Sequence, residues 1–83
     1  MGNDWIPVAG DIITPLSIRP FYVGRRRMEL QSGMLLTVLY SEEATHGTNS
    51  HNLDVYHPDF GKAPIIVYRN AWKIVNRQTK ENA

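Results

Sequence analysis

Three histidines and two aspartates lie close together in the middle of the chain. His46, His51 and His57 are five and six residues apart, and Asp54 and Asp59 lie beside them. Imidazole and carboxylate groups are common ligands of divalent metals, so this spacing could form a metal site. Such ligands normally sit on preformed turns with hydrogen-bonded supporting groups, whereas this segment is rich in Ser, Thr, Asn and Gly. We therefore interpret it as a solvated loop and expect no metal and no cofactor.

Arg25, Arg26 and Arg27, with Arg19 nearby in sequence, form the only cluster of like charge. Alternate side chains of a strand point to opposite faces, so only Arg25 and Arg27 are expected to share a face. That face could make a few phosphate contacts, which would give weak, salt-sensitive binding of nucleic acid. A solvated edge strand whose arginines prevent pairing with other strands explains the triplet equally well. Both interpretations stay open.

The aromatic residues are the strongest indication of function. They number more than so small a core needs to bury, and rings with polar tips are typical anchors of protein interfaces. An alternative is that the rings simply close the ends of the fold. The aromatic residues are Trp5, Phe21, Tyr22, Tyr40, Tyr56, Phe60, Tyr68 and Trp72.

These residues predict a non-catalytic binding or adaptor module. The predicted binding face consists of Tyr22, Arg25, Arg27, Tyr56 and Trp72, and its partner is expected to be another protein or a second copy of the chain. The second hypothesis is a small nucleic-acid-binding protein that uses the same basic and aromatic residues.

No enzyme class is indicated. The chain has no Gly-x-Ser-x-Gly, no phosphate-binding glycine loop and no His-Glu-x-x-His. It also has no cysteine, which excludes disulfides and thiol catalysis. We expect neither catalysis nor a small-molecule substrate.

Length and composition limit the chain to one globular domain. It has 83 residues, a net charge of +1 and 42% hydrophobic residues, which exclude a polybasic tail and a disordered chain. No apolar run approaches the length of a membrane span, and no signal peptide is visible, so a cytoplasmic location is the default expectation. A small accessory, regulatory or phage-encoded protein would fit. The ordered core is expected over residues 5–76, followed by a frayed tail over 77–83.

The local patterns predict five or six short strands. Pro and Gly interrupt the chain too often for long helices. Strands are predicted over 11–16, 25–30, 34–40, 52–57, 64–69 and 73–75, with a loop over 41–52 and a helical turn over 70–72. The strand over 34–40 is apolar on both sides and is expected to be covered on each face. The predicted core contains Leu36, Val38, Leu53, Val55, Ile65, Val67 and Ile74, with Met28 and Leu30 at its side.

Two segments resemble SH3 domains. Residues 29–39, Glu-Leu-Gln-Ser-Gly-Met-Leu-Leu-Thr-Val-Leu, resemble the Glu-Leu-x-x-Gly-Asp-x-Leu-x-Val-Leu segment at which a diverging turn enters the second strand. Residues 61–75 are similar to the distal-hairpin glycine, the fourth strand, the short helical turn and the last strand. The resemblance covers about residues 11–75. It implies an all-β, SH3-like barrel of five to six antiparallel strands with a short helical turn before the last strand.

The resemblance implies the fold more than the ligand. Phe21 and Tyr22 stand where the family has an aromatic motif, and Trp72 stands where it has its last ligand-contacting tyrosine. The tryptophan expected at the third strand is replaced by Asn52-Leu53, and the proline before the helical turn by Tyr68. A basic segment, residues 24–27, occupies the place of the acidic loop that attracts a ligand arginine. The polyproline-binding residues are therefore largely absent.

Overall fold

The computed structural model describes residues 4–43 and 49–76, and within these ranges it contains β-strands and no helix. The all-β class predicted from the sequence is confirmed. The strands number seven rather than five or six, because the aromatic segment before the arginines forms a strand of its own. They are β1 (Ile12–Pro15), β2 (Arg19–Val23), β3 (Arg26–Leu30), β4 (Leu36–Ser41), β5 (Ser50–His57), β6 (Gly61–Tyr68) and β7 (Trp72–Asn76).

The strands form two antiparallel sheets. Five of them pair in the order β6-β5-β4-β1-β7, and β2 pairs with β3 in a separate hairpin. The five-stranded sheet does not close on itself, so β6 and β7 are its edges. The hairpin packs against β6 without sharing a ladder with it. Its Phe21 ring lies 5.8 Å from the ring of Phe60, which belongs to the turn between β5 and β6.

The core lies between the hairpin and the inner face of the larger sheet. Alternation along β5 buries His51, Leu53 and Val55, and their antiparallel partners on β6 complete the same face. Ile65, Ile74 and Met28 from the predicted core are only partly buried, while Ile13, Phe21 and Ala63 join it. The buried hydrophobic cluster consists of Ile13, Phe21, Leu30, Leu36, Val38, Leu53, Val55, Ala63 and Val67.

One face of the larger sheet has no covering layer. The apolar pattern of residues 34–40 predicts cover on both sides, but Leu35, Leu39 and Tyr40 are exposed. That prediction was wrong, because these three side chains remain exposed while the hairpin packs on the other face, where Leu36 and Val38 are buried. The open face is therefore available for other contacts.

The entry segment is attached to the sheet by a buried aspartate. Asp11 is fully buried, and its Oδ2 accepts a hydrogen bond from the Val8 N–H at 2.9 Å. Its own N–H donates to the Val8 carbonyl, and its carbonyl accepts from the Val38 N–H at 2.9 Å. These bonds satisfy a buried carboxylate and hold residues 8–11 against β4.

Two loop predictions need correction. The predicted loop over 41–52 is shorter at both ends, because Ser41 belongs to β4 and residues 50–52 belong to β5. Residues 44–48, including His46, lie outside the described residues, as does the predicted tail over 77–83. Residues 69–71 form a turn instead of a helical turn: the Ala71 N–H donates to the Tyr68 carbonyl at 3.0 Å, and Asn70 has φ of 70°. A residue with left-handed φ ends any helical geometry.

Across the described ranges, there is no helix with the length and apolar character needed to cross a membrane.

Candidate functional site

A groove of about 670 Å³ is bordered by the hairpin and by the β4–β5–β6 part of the five-stranded sheet, and side chains from both faces of that sheet line it. Its walls come from β2, β4, β5 and β6, together with Trp72 at the start of β7. Phe21, Leu30 and Leu53 are core residues that also line it, so the groove reaches down to the buried cluster. Its size is in the range of small ligand sites and can equally accept a protruding segment of another protein.

Strand register explains which side chains reach this groove from the sheet. On β6, Pro64, Ile66 and Tyr68 alternate with inward residues and face outward. Their partners on β5 are Asp54 for Pro64 and Asn52 for Ile66. One face of the β5–β6 pair therefore supplies most of one wall.

A β-bulge directs Tyr40 into the groove. Val38 on β4 is buried, so strict alternation would also turn Tyr40 toward the core. The β4–β5 register instead shifts between Val38 and Tyr40, with Val38 opposite Val55 and Tyr40 opposite Asp54. The extra residue, Leu39, leaves Tyr40 58% exposed on the outer face.

Exposed apolar side chains collect at the groove. Tyr22, Tyr40, Ile66 and Tyr68 all line it, and each is about half exposed. Single exposed apolar residues are normal on protein surfaces, but a contiguous group around a concavity is typical of a binding site. Three of these four are tyrosines, which present a large apolar ring with a polar tip.

Two groove residues hold buried donors without acceptors. The Nε of Arg19 and the Nε1 of Trp72 have no hydrogen-bond partner among the described residues, and both atoms are buried. Leaving a buried donor unpaired costs on the order of 1–3 kcal/mol. Two further buried atoms without partners, on Trp5 and Thr14, do not line the groove. A ligand in the groove could supply hydrogen-bond acceptors to these two donors if it moved the Arg19 and Trp72 side chains slightly.

The charged side chains of the groove are divided between its walls. Glu42 and Asp54 come from the β4–β5 side, and Arg19 comes from β2. Glu42 accepts a hydrogen bond from Asn52 Nδ2 at 3.1 Å. The Asp54 carboxylate forms no hydrogen bond or ion pair with any part of the chain that the structure describes. The groove therefore has an acidic wall whose carboxylates form no ion pair with a cation of residues 4–43 or 49–76.

A buried histidine, His51, is hydrogen-bonded to the backbone at Glu42, one of the two acidic residues of the groove. His51 is 4% exposed, and its Nε2 lies 3.0 Å from Ser41 Oγ and 2.7 Å from the Glu42 carbonyl oxygen. Because a carbonyl oxygen can only accept, Nε2 carries a proton and donates a hydrogen bond to the backbone carbonyl of Glu42. In this tautomer Nε2 cannot take the proton of Ser41, so the pair is not arranged as a nucleophile and its general base. It joins the end of β4 to the start of β5 instead.

The predicted solvated histidine segment therefore needs correction at two residues. His51 is buried in the sheet, contrary to the loop prediction. His57 stacks on Phe60 with ring centroids 4.5 Å apart, and its Nδ1 accepts a hydrogen bond from the Asp59 N–H at 3.0 Å. Within residues 4–43 and 49–76, no group of three potential metal ligands comes together.

The five predicted site residues are placed unequally. Tyr22 and Trp72 line the groove. Arg27 lies outside the lining but opposite Tyr22 in the β2–β3 ladder, and Arg25 lies in the turn that joins those strands. Tyr56 sits farther along β5, between Thr37 and Lys62 in register.

The predicted binding face left out three groove residues of similar character, Tyr40, Ile66 and Tyr68, although the two tyrosines were among the rings that indicated a binding function. Alternation along residues 64–68 could have identified Ile66 and Tyr68 as an outward pair. Tyr40 carried no such signal, because no Gly or Pro marks the bulge that turns it outward.

The arginine triplet is exposed along its whole length. Arg25, Arg26 and Arg27 are all exposed, and the strand begins only at Arg26. Arg27 Nη1 lies 3.8 Å from Glu29 Oε2, an exposed and weak ion pair. The expectation that Arg25 and Arg27 share a strand face therefore changes, since Arg25 is a turn residue.

Comparison of the chain with family models, with curated proteins and with solved structures finds no significant match.

Proposed function

We propose that this protein is a non-catalytic binding module that docks a protein partner in the groove between its hairpin and its five-stranded sheet. The observation that carries the proposal is the gathering of Tyr22, Tyr40, Ile66 and Tyr68 around one concavity. Aromatic residues at the centre of a concave, partly apolar surface are typical of the residues that dominate binding energy in protein interfaces. The unpaired donors of Arg19 and Trp72 add a preference for an occupant rich in acceptor groups, such as a polypeptide backbone.

Binding of single-stranded nucleic acid is the second candidate, and one observation favours it: the three arginines at the hairpin tip are exposed. The groove itself argues for protein. Its stacking surfaces lie beside Glu42 and Asp54, which would repel phosphates, and none of residues 25–27 lines it. A single-strand site needs cations along the same path as its rings.

We also propose that the fold is an SH3-like barrel left open at one side. The support is the order of the strands. Five strands run as an antiparallel meander in which the last strand lies beside the first, and the hairpin is inserted between the first and second of them. Gly61, which the resemblance places at the distal hairpin, has φ of 87° at the turn between β5 and β6. The hairpin strand β2 contacts the edge strand β6 without forming a ladder with it.

A pair of matched substitutions tests the docking proposal. Ile66→Asp places a charge in the groove, while Leu35→Asp places the same charge at an apolar residue of similar exposure outside the groove. Both positions are half exposed, so neither change should prevent folding. Each immobilised variant is offered a lysate of the cells that produce the protein, once untreated and once treated with nuclease, together with a tagged second copy of the chain.

The wild type and Leu35→Asp should retain the same protein or the tagged copy, and Ile66→Asp should lose it by about 10-fold or more. Equal retention by all three variants would show that the groove is not the docking site. If the bound lysate protein is lost after nuclease treatment, binding would depend on nucleic acid and the second candidate function would be favoured. Retention of nothing by the wild type would also contradict the proposal.

A further inference from the structure

The tip of the β2–β3 hairpin and the acidic wall of the groove carry opposite charge. Arg25 is in the turn and Arg27 is on the outward face of β3, opposite Tyr22. Glu42 and Asp54 line the groove without a cationic partner in the described part of the chain. The same chain therefore displays both a basic protrusion and an acidic concavity.

We propose that the occupant of the groove is the arginine hairpin of a second copy of this chain. This inference rests on the proposed function and specifies its partner. Arg25 and Arg27 of one copy meet Asp54 and Glu42 of the other, and the tyrosines of the groove pack against the hairpin.

A chain's own hairpin tip does not line its own groove. If the arginine tip is the occupant, it must therefore belong to a second copy. The hairpin contributes residues 19–22 and Leu30 to the lining of the groove, and none of residues 24–27. Tyr22 marks the border between the two parts, since it lines the groove and lies opposite Arg27. A two-fold axis near Tyr22 lets each copy place its tip in the groove of the other. Such an interface is isologous, so it closes as a dimer and leaves both grooves filled.

Arginine suits this groove chemically. Its planar guanidinium can form paired hydrogen bonds with a carboxylate and stack on a tyrosine ring at the same time. Asp54 lies directly opposite Tyr40 across the β4–β5 ladder, so a carboxylate and a ring are adjacent on one wall. Exposed ion pairs alone contribute little, but these would be partly screened from water by the surrounding rings.

Reciprocal charge reversal gives the test. One variant carries Arg25→Glu and Arg27→Glu, and the other carries Glu42→Arg and Asp54→Arg. The control carries Lys62→Glu and Lys73→Glu, which change the net charge as the first variant does but lie outside the groove and the hairpin tip. Sedimentation equilibrium over a range of concentrations measures the dimer of each protein, and circular dichroism checks that each is folded.

The wild type and the control should dimerise with similar dissociation constants. Each reversed variant alone should dimerise at least about 10-fold more weakly, because like charges then face each other. An equal mixture of the two should form a dimer as tight as the wild type, since every contact in the mixed pair again joins opposite charges.

Three results would overturn the inference: a monomeric wild type at all concentrations, a dimer unaffected by Arg25→Glu and Arg27→Glu, or no complex on mixing folded variants. A monomeric wild type that still retains another protein through Ile66 would leave the docking function intact and reject only the second copy as its partner. The two proposals can therefore fail separately.

Discussion

Single residues decide which side chains reach the groove. Tyr40 is the clearest case, because the bulge at Leu39 moves its ring from the core side of β4 to the open face. His51 has a related role, since its bond to the Glu42 carbonyl holds the chain where β4 ends and the acidic wall begins. Tyr40 lines the groove itself, whereas His51 does not line it and acts by fixing the position of Glu42, which does.

Val55 tests the packing that supports this geometry. It is fully buried at the centre of the core, so Val55→Ala should lower the free energy of unfolding by roughly 1–3 kcal/mol. Val75→Ala is the matched control, because Val75 is 49% exposed on β7 and should change stability by less than about 0.5 kcal/mol. Urea unfolding of both variants measures the difference. Equal losses at the two positions would contradict the described inner face.

Residue types alone predicted much of the core but not the groove. Alternation over residues 52–57 identifies Leu53 and Val55 as inward, and the structure confirms both. The same pattern cannot show a bulge, because a bulge changes the alternation without changing composition. Tyr22 and Trp72 were identified as binding residues from their ring types, and their meeting in one groove depends on contacts far apart in sequence.

At the scale of elements, the hairpin of β2 and β3 creates the site. Without it the five-stranded sheet would expose its inner face, and with it the core and the groove form together. The sequence did not predict β2, because Pro20 argued against a strand in residues 17–24, although Phe21 and Tyr22 favour strand geometry. Proline is tolerated there because β2 has a ladder on one side only, with β3.

The turn between β6 and β7 gives a prediction at this scale. Asn70 has φ of 70°, where a side chain other than Gly, Asn or Asp is strained. Asn70→Ala should therefore lower the free energy of unfolding by about 1 kcal/mol, while Asn70→Gly should leave it nearly unchanged. Denaturant unfolding of the two variants checks this order. A glycine variant less stable than the alanine variant would mean that this turn has another conformation.

At the scale of the whole molecule, positive and negative charges lie in different places. The arginines lie at the hairpin tip, where Arg27 is opposite Tyr22, and the carboxylates line the groove, where Asp54 is opposite Tyr40. The sequence predicted a single face that combined basic and aromatic residues. Without the strand order, it could not show that Tyr22 and Trp72 line the groove while Arg25, Arg27 and Tyr56 do not. Tyr56 illustrates the limit, since its place along β5 puts it beyond the groove that Asp54 lines.

Site-specific photo-crosslinking in the cells that produce the protein tests the docking surface most directly. A photoreactive phenylalanine derivative replaces Tyr68 in the groove in one variant and Leu35 outside it in the other, two positions of similar exposure. We predict protein adducts from position 68, unchanged by nuclease, and few or none from position 35. Equal adducts from both positions, no adduct from position 68, or adducts that nuclease removes would contradict protein docking at this groove.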